Sequence, residues 1–236
     1  MSARIELVVS CEHASNVVPA KYRHLFEGRE DVLDTHRGYD PGTRELGRRL
    51  ARALRAPIIL ARYTRLLVEL NRSTHHRALF SEFSRRLSRA ERRRVLERFY
   101  HPHRQAVERA IRAKLRSRGP VLHLGVHSFT PVLAGRRRNA DIGLLYDPKR
   151  RHEAALCRRW QDALRSHDAR LRVRRNYPYR GDADGLTTYL RTVFPQRRYM
   201  GVELEINQSL PFGTRTRWAA LQESLTTTLA SVLPLK

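Results

Sequence analysis

Apolar and polar residues alternate most cleanly in two stretches of the chain. Read at a period of two, residues 121–131 put Leu122, Leu124 and Val126 on one face and His123, Gly125 and His127 on the other. Residues 201–207 repeat the pattern, with Val202, Leu204 and Ile206 on one side and Glu203, Glu205 and Asn207 on the other. Each reads as a strand whose apolar face is core and whose second face carries polar groups at intervals of roughly 6.6–7 Å. The first ends in Ser128, Thr130 and the chain-stopping Pro131, and the carboxyl ends of strands are where open α/β sheets hold their ligands. A core histidine satisfied by a carbonyl, or a polar face turned to solvent, would give the same patterns, so the neighbouring segments decide between them.

Five further runs read as strands: residues 4–11, 56–61, 66–70, 141–146 and 171–175. A short helical or irregular piece follows Pro19. Helical spacing appears behind Asp40-Pro41 through Leu46, Leu50, Ala53 and Leu54, with Asp40 suited to the N-cap and Pro41 to the first turn. It returns in residues 84–117, as two helices broken near His101-Pro102 whose histidines, His101 and His103, fall on the surface. Residues 152–166, through Ala155, Leu156, Trp160 and Leu164, and residues 217–232 complete the helices. Residues 176–185, crowded with turn formers and polar groups, make a loop of a length that in compact domains is often functional. Glu69 lies inside an apolar run and needs a partner, because an unpaired buried charge is costly; Arg65 and Arg72 are the nearest. Strands alternating with helices, and no Pro/Gly/Ser-rich linker, indicate a single α/β domain over residues 1–236 with helices on both faces of its sheet.

Charge adds a question. Of the 236 residues 47 are basic and 23 acidic, for a formal net charge of +24 and a pI of about 11.4. That raises nucleic acid or an acidic membrane surface as a partner. All but four of the basic residues are arginines, spread over nearly every helical segment, as at residues 85–86, 92–94 and 136–138, rather than gathered in one stripe. Solvated helix faces explain that spread, and a basic nucleic-acid-binding protein stands as the alternative of a different class. No run approaches the roughly 18–20 apolar residues of a membrane span, and the amino terminus lacks a basic region followed by an apolar one, so a cytoplasmic location is expected. Cys11 and Cys157 have no paired spacing, which argues against a disulfide framework and a thiolate metal cluster.

The first strand runs directly into Glu12-His13-Ala14-Ser15-Asn16, so a second histidine sits at a strand end as His127 does. Residues 34–42 then place Asp34, His36 and Asp40 among turn residues. Two histidines, a carboxylate-rich loop and a carboxylate strand are the ingredients of a mononuclear hydrolytic zinc site. Such a site needs nitrogen or oxygen ligands, an open position for water, and a separate carboxylate to take the water's proton. There is no short His-Glu-x-x-His spacing, so the ligands must converge through the fold.

Five blocks occur in order within about residues 5–230: Val-Ser-Cys-Glu-His13-Ala-Ser-Asn, Asp34-Thr-His-Arg-Gly-Tyr-Asp40-Pro-Gly, Arg65-Leu-Leu-Val-Glu-Leu-Asn71-Arg72, His127-Ser-Phe-Thr-Pro and Gly-Val-Glu203-Leu-Glu-Ile-Asn207. Together they resemble the N-formylglutamate amidohydrolase family, with a fainter likeness to zinc carboxypeptidases. The resemblance implies a three-layer α/β/α domain with a mixed, mostly parallel sheet of the zinc-carboxypeptidase (phosphorylase/hydrolase-like) kind. It implies a bound zinc with His13 and His127 as ligands, and Glu203 as general base with Glu205 beside it. Asn71 and Arg72 resemble the pair that grips the substrate carboxylate; Ser128 would lie against the substrate, and Arg138 or Arg180 would take a second carboxylate. The glutamate that such proteins place three residues after the first histidine is Asn16 here, a poor zinc ligand, so Asp34 or Asp40 is expected to supply the third contact. Glu69 stands where the family more often has aspartate. The implied activity is release of formate from a small acidic N-acyl amino acid such as N-formyl-L-glutamate, as in histidine degradation, with another acylated amino acid or peptide as the alternative substrate.

Overall fold

Six strands form one sheet in the computed structural model, which describes residues 5–117 and 119–233. In chain order the strands are β1 (Glu6–Cys11), β2 (Ile58–Leu60), β3 (Val121–Phe129), a separate hairpin of β4 (Val132–Leu133) and β5 (Arg136–Arg137), then β6 (Ile142–Leu145), β7 (Val173–Arg175) and β8 (Tyr199–Asn207). Arg4, where the first strand was expected to start, lies outside the described residues. The sheet order is β2-β1-β3-β8-β6-β7. The first four of these are parallel, β6 runs antiparallel to β8, and β7 is parallel to β6. The helices are α1 (Thr43–Ala53), α2 (Arg89–Val95), α3 (His101–Lys114), α4 (Arg151–His167), α5 (Leu186–Val193) and α6 (Arg215–Val232).

The period-two pattern decides what each face of the sheet does. Leu7, Val9, Leu122, Leu124, Val126, Val202, Leu204 and Ile206 pack against the apolar stripes of α1, α4 and α6, among them Leu46, Leu50, Trp160 and Leu225. Each such buried side chain contributes roughly 1.5–3 kcal/mol, so this face carries much of the stabilisation. On the other face Val8, Val121 and Tyr199 pack beneath α3 and α5 through Val107, Ile111, Leu186 and Leu190. Toward the carboxyl ends of β1, β3 and β8 that second face turns polar, carrying Ser10, His123, His127, Glu203 and Glu205. The result is the α/β sheet with helices on both faces that the alternation of elements indicated, and the mixed, mostly parallel three-layer form of it that the resemblance implied.

Several local expectations are corrected. Residues 66–70 are buried but form no strand. Leu66 O accepts from Ser81 Oγ and Ser84 Oγ, Leu70 O accepts from Arg104 Nη1, and Glu69 N–H donates to Leu79 O, so side chains and turns satisfy the backbone in place of a ladder. The run belongs to a separate apolar cluster with Val18, Phe26, Phe83 and Val95. The helices α2 and α3 are not broken apart; a π-helical segment, Leu96–Tyr100, joins them. Pro102 has no N–H and its ring crowds the preceding turn, and the widened turn, in which His101 N–H donates to Leu96 O, absorbs it. His103 is buried rather than on the surface, on the same side of α3 as Val107 and Ile111. Gly42, with φ 82°, is the N-cap of α1, so Asp40 is left for another role. The helix α5 and the β4–β5 hairpin were not expected. Among the described residues no helix is long and apolar enough to cross a membrane.

Candidate active site

Because β1 and β3 are adjacent and parallel, residues at their carboxyl ends meet. His13 lies two residues past β1, and His127 two residues before the end of β3. Asp40 enters on the loop before α1, its N–H donating to His13 O at 2.9 Å. Three atoms converge: His13 Nδ1 is 3.1 Å and His127 Nδ1 3.2 Å from Asp40 Oδ2, and the two nitrogens are 3.2 Å apart. All three residues are buried, and Ser128 N–H donates to the same Asp40 oxygen at 3.2 Å.

The far side of each imidazole faces a carboxylate. His13 Nε2 is 2.5 Å from Glu69 Oε1, and His127 Nε2 is 3.1 Å from Glu12 Oε2, at ion-pair distance though off the line of a good hydrogen bond. A proton held on Nε2 by such a partner leaves Nδ1 as a bare lone pair. Two bare nitrogens and a carboxylate oxygen then point at one another, which is unfavourable unless a cation lies between them. A tetrahedral zinc with bonds of about 2.0–2.1 Å would separate its ligands by about 3.3–3.4 Å, close to the spacing found. Carboxylates behind metal-binding histidines are the recurrent way of fixing the tautomer. The donor set therefore fits a zinc-like ion.

Charge is arranged to the same end. Arg65 bridges the two acidic partners, donating from Nη1 to Asp40 Oδ1 at 3.1 Å and from Nε to Glu69 Oε2 at 2.8 Å. Burial by itself would raise the Asp40 pKa, but His13, His127 and Arg65 hold it well below the usual carboxylate range. Burial is likewise outweighed at Glu69 by Arg65 and His13, and at Glu12 by His103 and His127, so both are anions. Burial disfavours a charged His127, yet Asp40 and Glu12 more than compensate and raise its pKa. The centre of the cluster attracts positive charge.

The strand β8 flanks β3 on the other side, with Glu203 level with Gly125 and Glu205 level with His127. A Cβ at Gly125 would stand 3.4 Å from His127 Nε2 and 3.5 Å from Glu203 Cγ, ordinary contact distances, so this position lies directly between the two side chains. Glu203 is half-buried, and its Oε1 accepts from Asn71 Nδ2 (3.3 Å) and Thr187 Oγ1 (3.2 Å). Glu205 is buried, and its Oε2 has no hydrogen-bond partner among the described residues. Burial pushes its pKa up to about 8, Asp40 and Glu203 adding to the rise and His127 opposing it.

A cavity of about 400 Å³ opens over these groups and is lined also by Asn71, Arg72, Ser128 and Arg180. Two expected residues stand elsewhere. Asp34 is exposed and accepts from Asn16 Nδ2 at 2.7 Å, so Asp40, rather than Asp34 or Asn16, completes the cluster with the histidines. Arg138 lies outside the lining, stacked on the ring of Tyr179 at 4.9 Å and donating to its hydroxyl at 3.0 Å. The sequence reading missed Glu12 and His103 as parts of the site. A carboxylate next to a strand-end histidine was the available signal for the first, and the four-residue spacing of His103, Val107 and Ile111 for the second. Tyr179 and Asp184, which also line the cavity, belong to the 176–185 loop, of which the sequence singles out only Arg180 by residue.

Sheet and site together define a class, three-layer α/β/α hydrolases that work at the carboxyl ends of a mostly parallel sheet. The family model for N-formylglutamate amidohydrolase matches residues 5–211, and the chain belongs to that family of amidohydrolases. Among solved structures it is similar to the gene product Atu2144 from Agrobacterium tumefaciens, at 29% identity over 98% of this chain and 91% of that one, with a TM-score of 0.80. It shares its fold with the N-formylglutamate amidohydrolase from Ralstonia eutropha JMP134, at 21% identity, 98% and 93% coverage and a TM-score of 0.71. None of the curated proteins compared matches it.

Proposed function

We propose that the chain, acting as one catalytic domain, is a cytoplasmic zinc amidohydrolase of amino-acid breakdown. It would cleave a small N-formyl amino acid of the N-formyl-L-glutamate kind to formate and the free amino acid, as in histidine degradation. The observation that carries this reading is the convergence of His13 Nδ1, Asp40 Oδ2 and His127 Nδ1 within 3.2 Å, each histidine backed by a carboxylate. These three residues would hold the metal, which when bound supplies a Lewis acid and lowers the pKa of a water from 15.7 toward about 7.

The remaining steps belong to the chain's own side chains. Glu203 is fixed through one oxygen by Asn71 and Thr187, and its other oxygen makes no hydrogen bond to the described residues, so it can take the proton of the attacking water and pass it to the departing amine. Asn71 is itself clamped by Leu186 N–H, which donates to its Oδ1 at 2.7 Å. Arg72 donates from Nη1 to the carbonyls of Asn71 (2.9 Å) and Asp184 (2.8 Å), which aims its remaining N–H groups at a substrate carboxylate. Glu205 lies level with His127 on the adjacent strand and lines the cavity beside Glu203. A nucleic-acid role would leave this cluster without a use.

The test is metal analysis beside formate release, on protein purified without a histidine tag. About one zinc per chain is expected, lost together with activity in His13→Ala and His127→Ala while the fold is kept. Full metal occupancy in the double variant would refute the assignment.

A further inference from the structure

Resting on that reading, we infer that the site grips one substrate carboxylate and not two, so that N-formyl derivatives of neutral amino acids are substrates as good as N-formylglutamate. Three guanidinium groups line the cavity. Arg65 is committed to Asp40 and Glu69, at 3.1 and 2.6 Å. Arg180 is forked onto Asp182, Nε to Oδ1 at 2.9 Å and Nη2 to Oδ2 at 2.7 Å, on a side chain that is 74% exposed. Arg72 alone has no carboxylate partner among the described residues, and its two carbonyl contacts leave it charged and directed. Arg138, the other cation that the sequence offered for a second carboxylate, is held on Tyr179 outside the lining.

With the formyl group over the histidine–aspartate cluster, Arg72 takes the α-carboxylate. A γ-carboxylate then has Asp184 and Glu203 on the cavity wall, and of the two remaining guanidinium groups Arg65 is committed to Asp40 and Glu69, which leaves Arg180. Engaging Arg180 means displacing Asp182, which exchanges one exposed carboxylate for another and leaves Asp182 unpaired. Exposed ion pairs contribute little, and such an exchange contributes less than a new pair. A neutral side chain loses nothing by comparison and can lie against the Leu145 and Ala183 that share the lining.

Glutamate and glutamine are isosteric, so their N-formyl derivatives isolate the charge. With metal-loaded protein at fixed ionic strength, kcat/KM for N-formyl-L-glutamate and N-formyl-L-glutamine should agree within about threefold. Both should fall about 100-fold in Arg72→Met, which removes the one grip. Asp182→Asn, which releases Arg180, should raise the glutamate-to-glutamine ratio about tenfold by creating a charge-assisted contact, with the glutamine value unchanged. A wild-type ratio above about ten that collapses in Arg180→Met overturns the inference and makes Arg180 the second grip. If neither compound is cleaved, the proposed activity fails instead, and calorimetric affinities of the same two compounds still decide the number of carboxylates held.

Discussion

Glu12 is fully buried between two histidines, 3.1 Å from His127 Nε2 and 3.5 Å from His103 Nε2. Its charge faces the far nitrogen of His127, one of the residues proposed to hold the metal, and Glu12 itself does not line the cavity. Glu12→Gln keeps the volume and removes the charge, so metal affinity should fall about 10- to 100-fold in a folded protein, measured by competition with a chelator. Glu203 and Glu205 separate by the same logic. Glu203→Gln should keep its metal and lose most of its turnover with little change in KM, whereas Glu205→Gln should cost about 10- to 100-fold. A dead, metal-replete Glu205→Gln beside a mildly impaired Glu203→Gln would reverse the roles. The alternation in residues 201–207 already put both carboxylates on one face, but it held no information on which of them Asn71 and Thr187 would fix. Asp40 was legible as a residue of interest and ambiguous in role, because cap or ligand depends on where residues 34–42 pass relative to two distant strands.

Among the elements, β3 does the most. Its His123 links three strands, with Nε2 2.7 Å from Ser10 Oγ on β1 and Nδ1 3.0 Å from Tyr199 Oη on β8. Burial lowers the His123 pKa to about 4. Between about pH 6.5 and 4 the unfolded chain therefore binds a proton that the native one refuses, and the stabilisation present above pH 6.5 is lost as pH falls, by on the order of 3 kcal/mol. Denaturant midpoints from pH 7 down to 4.5 should show this slope in the wild type and a shallower one in His123→Gln. On β6, Gly143 lies level with Glu205, and a Cβ there would come within 2.0 Å of Tyr177 O. Gly143→Ala should displace the 176–185 loop, lower stability by about 1–3 kcal/mol and raise KM more than it lowers kcat, since Asp184 in that loop steadies Arg72. Long alternating strands such as β3 and β8 were plain in the sequence. The continuous apolar run at residues 66–70 was not, because period alone does not tell a buried strand from buried irregular chain, and α5 is short and rich in threonine.

At the scale of the whole molecule, the net charge of +24 is dispersed while the cavity keeps its own acidic groups. Binding to nucleic acid should accordingly be non-specific: two unrelated single-stranded oligonucleotides should show equal affinity that falls steeply with salt, and a clear preference between them in anisotropy titrations would revive the nucleic-acid reading. The α/β class followed from the order of elements, but the order of strands did not, since nothing local announces that β8 inserts between β3 and β6. That insertion bears on how the protein is made. Of the six strands of the sheet, the last to leave the ribosome is the one that joins β2-β1-β3 to β6-β7, so until about residue 207 has emerged β3 and β6 present open edges. One of those edges is β3, nine residues long and buried throughout in the finished fold, which makes it a template for pairing between neighbouring chains on a polysome. The clustered residues His13, Asp40 and His127 precede β8 in the chain, and Glu203 lies on it. A fragment that stops before β8 should therefore aggregate rather than behave as a weakened enzyme.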